Sequence, residues 1–364
     1  MSKYDLFQST RINQKMASNR LVVAPMTRIS ASETGGPGER MKRYYTRFAR
    51  GGFGTVITEG IYIDDVWSQT YSFQSGLINA EQVHGWREIT DSLHRSGSLV
   101  IAQIQHSGAL SQGNIYRPET VAPSSVRPRG EQLEFYYGKG QYPIPHELTD
   151  GQIRDIIRSF ADTAVRAVNE AGFDGVEIHG ANGYLLDQFL TDYTNQRTDH
   201  WGGDIASRLS LILAVISAVR EAVGPDSIVG VRISQGKVND FNHKWAEGVK
   251  GAGSVFSLLA ASGLDYIHLT EYEAWQPAFD DSPLSLVEIA RQHAPQLTII
   301  ANGSVDTGEK AEKVMALGAD LVAIGKSALA NPDWPSRIRE NKALREFDRS
   351  ILSPRADVKD CELS

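Results

Sequence analysis

Eight short runs rich in β-branched residues punctuate this chain: "RLVVAP" (20–25), "GTVITEG" (54–60), "SLVIAQI" (98–104), "DGVEIH" (174–179), "IVGVRIS" (228–234), "DYIHLT" (265–270), "LTIIANG" (297–303) and "DLVAIG" (320–325). Each is almost continuously apolar rather than alternating, the pattern of parallel strands covered on both faces. Segments of helical period lie between them, clearest in "INAEQVHGWREITDSLHRSG", "QIRDIIRSFADTAVRAVNEAG", "ASRLSLILAVISAVREAVG", "SVFSLLAASG" and "TGEKAEKVMALGA". Several of these close on Gly, where a helix C-cap favours it. Eight such units without a composition break or a Pro/Ser linker predict an α/β chain folded as one closed (β/α)8 TIM barrel. A doubly wound sheet is the main rival, but the first run continues into "APMTRIS" and lacks the G-x-G-x-x-G fingerprint.

The barrel is expected to occupy residues 1–340, with a tail over 341–364. That tail is polar enough to be loose, or to reach into a neighbouring copy. About 45 residues, 105–150, separate the third run from its helix and contain "RPETVAPSSVRPRG" and "GKGQYPIP". A loop of that length in a compact domain is a lid, a binding loop or disordered, and here a partial cap over the barrel mouth is expected. Thr149 in "LTDGQI" then serves as the N-cap that restarts the helix.

Composition excludes several classes of function. A net charge of −7 and a pI near 5.8 argue against a nucleic-acid binder. The most basic segment, "RYYTRFAR", reads as one amphipathic helix. Cys361 is the only cysteine, so no intramolecular disulfide, Cys-based zinc site or iron–sulfur cluster can form, which favours a reducing compartment. The opening "MSKYDLFQSTRINQ" has no apolar core of a signal peptide, and the strongest apolar run, "LSLILAVISAV" (209–219), is too short to span a bilayer. A soluble, cytoplasmic protein with neither nucleic-acid nor membrane partners is expected.

Chemistry in such a barrel belongs at the C-terminal ends of its strands. Those ends carry Pro25, Met26, Thr27 and Arg28, then Glu59 and Gly60, Gln103, His179 and Asn182, Arg232, Thr270, Asn302 with Gly303 and Ser304, and Gly325 with Lys326. "ANGSVDTGEK" and "IGKSALANPDW" each end a strand in Gly and enter a helix, offering bare backbone N–H groups to an anion, or simply making tight turns. Arg232 closes an apolar strand and needs a buried anionic or carbonyl partner, which Glu177 or Glu271 could equally supply. In "HGANGYLLDQF" (179–189), treated as a helical turn, His179 and Asn182 share a face and could hold one carbonyl oxygen, while Tyr184 approaches from another side. Core packing is the alternative for His179 and for Tyr184.

"APMTR" (24–28), "TEG" (58–60), "AQIQHSG" (102–108), "GVEIHGANGYLLDQFL" (175–190), "NQRTDHWGG" (195–203), "VRIS" (231–234) and "IGKSALANPDW" (324–334) together resemble the Old Yellow Enzyme family of flavin-dependent ene-reductases, in order and over essentially the whole chain. The resemblance implies a barrel holding FMN non-covalently and reduced by NADH or NADPH. It also implies that Pro25, Met26 and Thr27 border the flavin, Gly60 and Gln103 meet its pyrimidine ring, and Arg232 faces its N1/O2 edge. Backbone around Gly303, Ser304, Gly325 and Lys326 would hold the phosphate. His179 and Asn182 would bind the substrate carbonyl, and Tyr184 would donate the proton. The chain departs from the family pattern at Gln105, where Trp or Ala is common, and at Lys326, where Arg is usual. Thr27 follows one branch of the family, whereas "NPDWP" is closer to another.

The expected activity is reduction of activated C=C bonds of α,β-unsaturated carbonyl or nitro compounds. With no second nucleotide domain in the chain, nicotinamide and alkene would visit one flavin face in turn, in ping-pong fashion. Two rivals stand beside this reading: a metal-dependent barrel lyase or aldolase using Glu177, His179 and His200, and a flavin-binding redox sensor without turnover. The physiological substrate, the choice between NADH and NADPH, and the oligomeric state are not encoded in any pattern of the sequence.

Overall fold

A computed structural model describes residues 5–363. The first four positions of the expected barrel span and the last of the expected tail lie outside the described residues. All eight apolar runs are strands: β1 (Leu21–Val23), β2 (Thr55–Tyr62), β3 (Leu99–Gln105), β4 (Gly175–Asn182), β5 (Ile228–Lys237), β6 (Tyr266–Thr270), β7 (Thr298–Asn302) and β8 (Leu321–Ile324). They pair in parallel and in chain order, and β8 closes on β1. This is the (β/α)8 barrel expected, and every residue of β2 is buried, as two covered faces require.

The helices follow the strands: α1 (Glu39–Arg50), α2 (Ala80–His94), α3 (Asp150–Val165), α4 (Ser210–Val223), α5 (Gly248–Ala260), α6 (Leu286–His293), α7 (Gly308–Ala316) and α8 (Trp334–Arg339). Thr149 caps α3 in a reciprocal capping box with Gln152, and "RYYTRFAR" forms the body of α1. The sequence period misses one detail, a π-helical turn at Arg166–Glu170 that ends the third helical segment.

A small antiparallel hairpin, Thr10–Ile12 with Lys15–Ala17, closes the N-terminal end of the barrel. Its Ile12 is fully buried against Val22, Ile57, Ile101, Ile228, Ile300 and Leu321. That apolar seal blocks the barrel interior from its N-terminal end. The excursion after β3 crosses the C-terminal rim: Tyr136 Oη donates to Thr27 O at 2.9 Å, and Arg129 pairs with Asp240 beyond β5 at 3.0 Å. Its pairings are short: Val121–Ala122 runs parallel to His146–Glu147, and Glu131 bridges Gln141 antiparallel.

The tail is not loose. Glu362 is buried and forms a double ion pair with Arg28, a second pair with Arg47, and Arg28 also donates to Ala356 O and Asp357 O. Arg28 therefore points away from the rim, which corrects its placement among the ligand-facing groups. A buried guanidinium needs several acceptors at once, and the tail supplies them.

Candidate active site

The barrel interior beneath the rim is polar. Glu177 of β4 is fully buried and accepts hydrogen bonds from Gln103 Nε2 at 2.8 Å, Tyr266 Oη at 3.0 Å and His268 Nδ1 at 2.8 Å. Tyr266 crosses the barrel to reach it because Gly230 lies opposite; a Cβ there would stand 2.1 Å from the Tyr266 ring. Burial alone would raise the Glu177 carboxyl, but His268, the positive charge of Arg232 and the Gln103 amide hold it below the ordinary carboxylate range. Arg232 of β5 lies in register with His179 on one side and His268 on the other. Its Nη2 donates to Asn302 Oδ1 at 2.8 Å, but its buried Nε has no acceptor among the described residues. The pairing with Glu177 or Glu271 considered from the sequence is thus replaced by Asn302 as the hydrogen-bond partner, with Glu177 acting through charge.

The end of β4 corrects the helical-turn reading. His179, Gly180 and Asn182 continue the ladder with β5, and the register shifts between Gly180 and Asn182. Barrel closure wins over local helix geometry, and the shift is taken up by Asn182 at φ 63 and Gly183 at φ 87. Tyr184 then caps a short helix, Leu185–Leu190. The structure does bring His179 and Tyr184 together, with ring centroids 5.0 Å apart and edge to face. Asn182 is half-buried two residues before Tyr184. Ala181 N–H donates to His179 Nδ1 at 3.4 Å, which leaves the ring proton on Nε2. Burial, then the charge of Arg232 and His268, pushes the imidazole well below its usual range, so it is neutral. Burial likewise pushes the Tyr184 phenol up to about 12, against the lowering influence of Tyr71 and Arg232.

The opposite arc, after β7 and β8, is made of backbone. Asn302 binds the arc together: Oδ1 accepts from both Arg232 and Thr270, and Nδ2 donates to Ala323 O at 2.9 Å. Gly303 at φ 144 and Ser304 at φ 50 follow, and a Cβ on Gly303 would stand 2.2 Å from Glu271 O. The Ser304 hydroxyl is committed to Tyr272 O at 2.6 Å. A Cβ added at Gly325 would only touch Ala24 and Met26, each at 3.9 Å, and Ser304 and Lys326 are exposed.

Pro25, Met26 and Thr27 are half-buried beside this arc, after β1. Gly60 pairs with Gln103, and its missing side chain makes room for Gln105, whose Oε1 lies 1.9 Å from where a Cβ would sit. Gln105 is itself tied to Thr70, its Nε2 donating to Thr70 Oγ1 at 2.7 Å. Sequence reasoning missed Tyr71, whose hydroxyl lies 2.7 Å from that of Tyr184, and Tyr136, which stacks on Tyr71. No spacing signal marks either one. Of the three ligands of the metal reading, Glu177 is engaged as above and exposed His200 sits beside Asp150 and Trp201. Among the described residues no cluster of His, Cys, Asp or Glu suits a metal ion.

These groups suit a flavin. The unsatisfied Nε of a buried guanidinium calls for a carbonyl or ring-nitrogen acceptor, and consecutive left-handed residues at Gly303 and Ser304 give a backbone concavity fit for a phosphate.

Comparison with known proteins agrees. The profile of the NADH:flavin oxidoreductase / NADH oxidase family matches residues 5–345. A probable flavin mononucleotide-dependent alkene reductase of Leishmania infantum is 34% identical over 338 residues, covering 91% of this chain and 89% of its own. The NADH oxidase of Thermoanaerobacter brockii is 32% identical over 93% of this chain, which spans only 51% of that longer protein. Among solved structures, the Old Yellow Enzyme homologue of Zymomonas mobilis superposes with a TM-score of 0.88 at 27% identity, covering 99% of this chain and 98% of that one. Morphinone reductase in complex with tetrahydroNAD superposes at 0.83 with 30% identity, covering 96% and 94%. Barrel, rim and these likenesses converge: the chain belongs to the NADH:flavin oxidoreductase / NADH oxidase family, as an FMN-dependent oxidoreductase of the Old Yellow Enzyme type.

Proposed function

We propose that this enzyme reduces the C=C bond of α,β-unsaturated carbonyl or nitro compounds with NADH or NADPH, the two substrates using one site in turn. The observation that carries this reading is the buried His179–Tyr184 pair at the end of β4, a neutral donor beside a protonated phenol. When bound, FMN supplies the hydride, accepted from the nicotinamide and delivered to the β-carbon of the alkene.

His179 Nε2–H and the Asn182 carboxamide donate to the carbonyl or nitro oxygen, where negative charge grows as the β-carbon accepts hydride. A neutral imidazole suits this role, since its donor proton stays in place throughout. Tyr184 Oη releases its proton to the α-carbon as general acid, which completes the saturation. Arg232 would face the N1/O2 edge of the flavin, where its fixed positive charge would favour electron uptake. Pro25, Met26 and Thr27 would border the ring, Gly60 and Gln103 would lie at its pyrimidine side, and Gly303, Ser304, Gly325 and Lys326 would hold the phosphate. Support for the last assignment is the consecutive positive φ of Gly303 and Ser304 just after β7.

A cytoplasmic location is part of the proposal, supported by the single cysteine and by the lack, among the described residues, of any helix long and apolar enough to cross a membrane. So is the division into a barrel over 1–340 and an appended tail over 341–364. The test is anaerobic titration of the yellow protein with NADH and NADPH in parallel, followed by mixing with cyclohexenone. Rapid reoxidation with formation of cyclohexanone is expected; flavin that is reduced but never discharged by the enone would make the protein a redox sensor instead.

A further inference from the structure

We infer that Tyr71 is a positioning residue for Tyr184: its O–H donates to Tyr184 Oη and so aims the Tyr184 proton at the substrate. This rests on the role proposed for Tyr184. The two hydroxyls are 2.7 Å apart, and both residues are buried, at 2% and 6% exposure. One proton must lie between them, and only one orientation is productive. If Tyr184 donated to Tyr71, its proton would be occupied; if Tyr71 donates, the Tyr184 proton is free for the α-carbon. The donor also stabilises the incipient phenolate, which in apolar surroundings formed by Leu110 and Tyr142 would otherwise lack a partner. Burial raises both phenols above their ordinary range, so both stay protonated until substrate arrives.

Tyr71 is held for this task from two sides. Gln74 Oε1 accepts from the Tyr71 backbone N–H at 3.3 Å, and the Tyr136 ring stacks on it with centroids 4.1 Å apart. Tyr136 is in turn fixed through its hydroxyl to Thr27 O. The step balances simply: the Tyr184 O–H bond breaks as the α-carbon C–H bond forms, Tyr71 keeps its own proton, and solvent later reprotonates Tyr184.

The experiment is a double-mutant cycle on the holoenzyme. Tyr71→Phe is expected to slow alkene reduction about tenfold, the worth of a hydrogen bond to a developing charge, and to leave the KM for cyclohexenone within about twofold. In a Tyr184→Phe background, Tyr71→Phe is expected to cost nothing further, because it acts only through that hydroxyl. A rise in the solvent deuterium isotope effect in Tyr71→Phe is the accompanying signature. An equal loss in both backgrounds, or no loss with Tyr184 intact, overturns the inference. If Tyr184→Phe itself fails to slow the alkene step, the reading beneath it falls instead. Should Tyr71→Phe not retain FMN, Tyr136→Leu keeps both hydroxyls and unseats Tyr71; its loss too must vanish in the Tyr184→Phe background.

Discussion

The two arcs of the barrel rim are built by opposite means. On the β4 arc, His179, Tyr184 and Tyr71 are side chains buried tightly enough that desolvation sets their protonation. On the β7–β8 arc, Gly303, Ser304 and Gly325 offer main chain in unusual conformations, partly in water. Under the function proposed above, the difference is a division of labour. Proton and charge chemistry needs a dry site where a pKa can be moved, whereas gripping an anion needs only amide dipoles and space. Arg232, joined to the second arc through Asn302 and in register with His179 on the first, lies between the two.

Substitutions on each arc should therefore fail in different ways. The largest effect is expected for Tyr184→Phe, which should slow the alkene half-reaction about 10²-fold or more while leaving flavin reduction by nicotinamide within about twofold, as stopped-flow absorbance would show. Equal loss in both half-reactions would erase the distinction between the arcs. Arg232→Gln comes next: losing a charge-assisted contact should weaken FMN binding about 10- to 100-fold, read from the fluorescence of released flavin.

Gly303→Ala tests the backbone arc itself. A Cβ 2.2 Å from Glu271 O at φ 144 forces a main-chain shift, expected to cost about 1–3 kcal/mol of stability and to loosen FMN, with the alkene step normal in whatever holoenzyme remains. Melting temperatures with and without added FMN would measure it; an unaltered melt would show that this glycine is not needed. Lys326→Ala is smaller still, about two- to threefold in FMN affinity and vanishing at high salt, because an exposed charge is screened.

The smallest expected effect is that of pH. A general acid works below its pKa; since burial lifts Tyr184 to about 12 and drops His179 well below its usual range, neither changes state between about pH 6 and pH 9. The alkene step should be flat across that window. A break there that disappears in Tyr184→Phe would show that the phenol is not as desolvated as its surroundings imply.

The barrel was legible because parallel strands covered on both faces leave unbroken apolar runs, and because Gly97, Gly172, Gly224, Gly263 and Gly318, each just after a helical segment, all take the positive φ that glycine reaches most easily. Legibility failed where geometry is not local. The step from His179 to Asn182 reads as a helical turn until the ladder with β5 is known, since a register shift leaves no mark on composition. Tyr71 meets Tyr184 across 113 positions of chain, and nothing in "SQTYSFQSG" points to that partner. The fastening of Glu362 to Arg28 spans 334 positions, and polarity in the tail carries no sign of it.

That last contact has a practical consequence. The stretch from Arg339 to Ser350 is largely exposed and offers Lys342, Arg345 and Arg349 to trypsin, while Ala356, Val358 and Glu362 beyond it are buried. A nicked molecule should keep its severed end bound through the Arg28 and Arg47 contacts. Denaturing gels would then show a shortened polypeptide while native mass spectrometry showed no loss of mass.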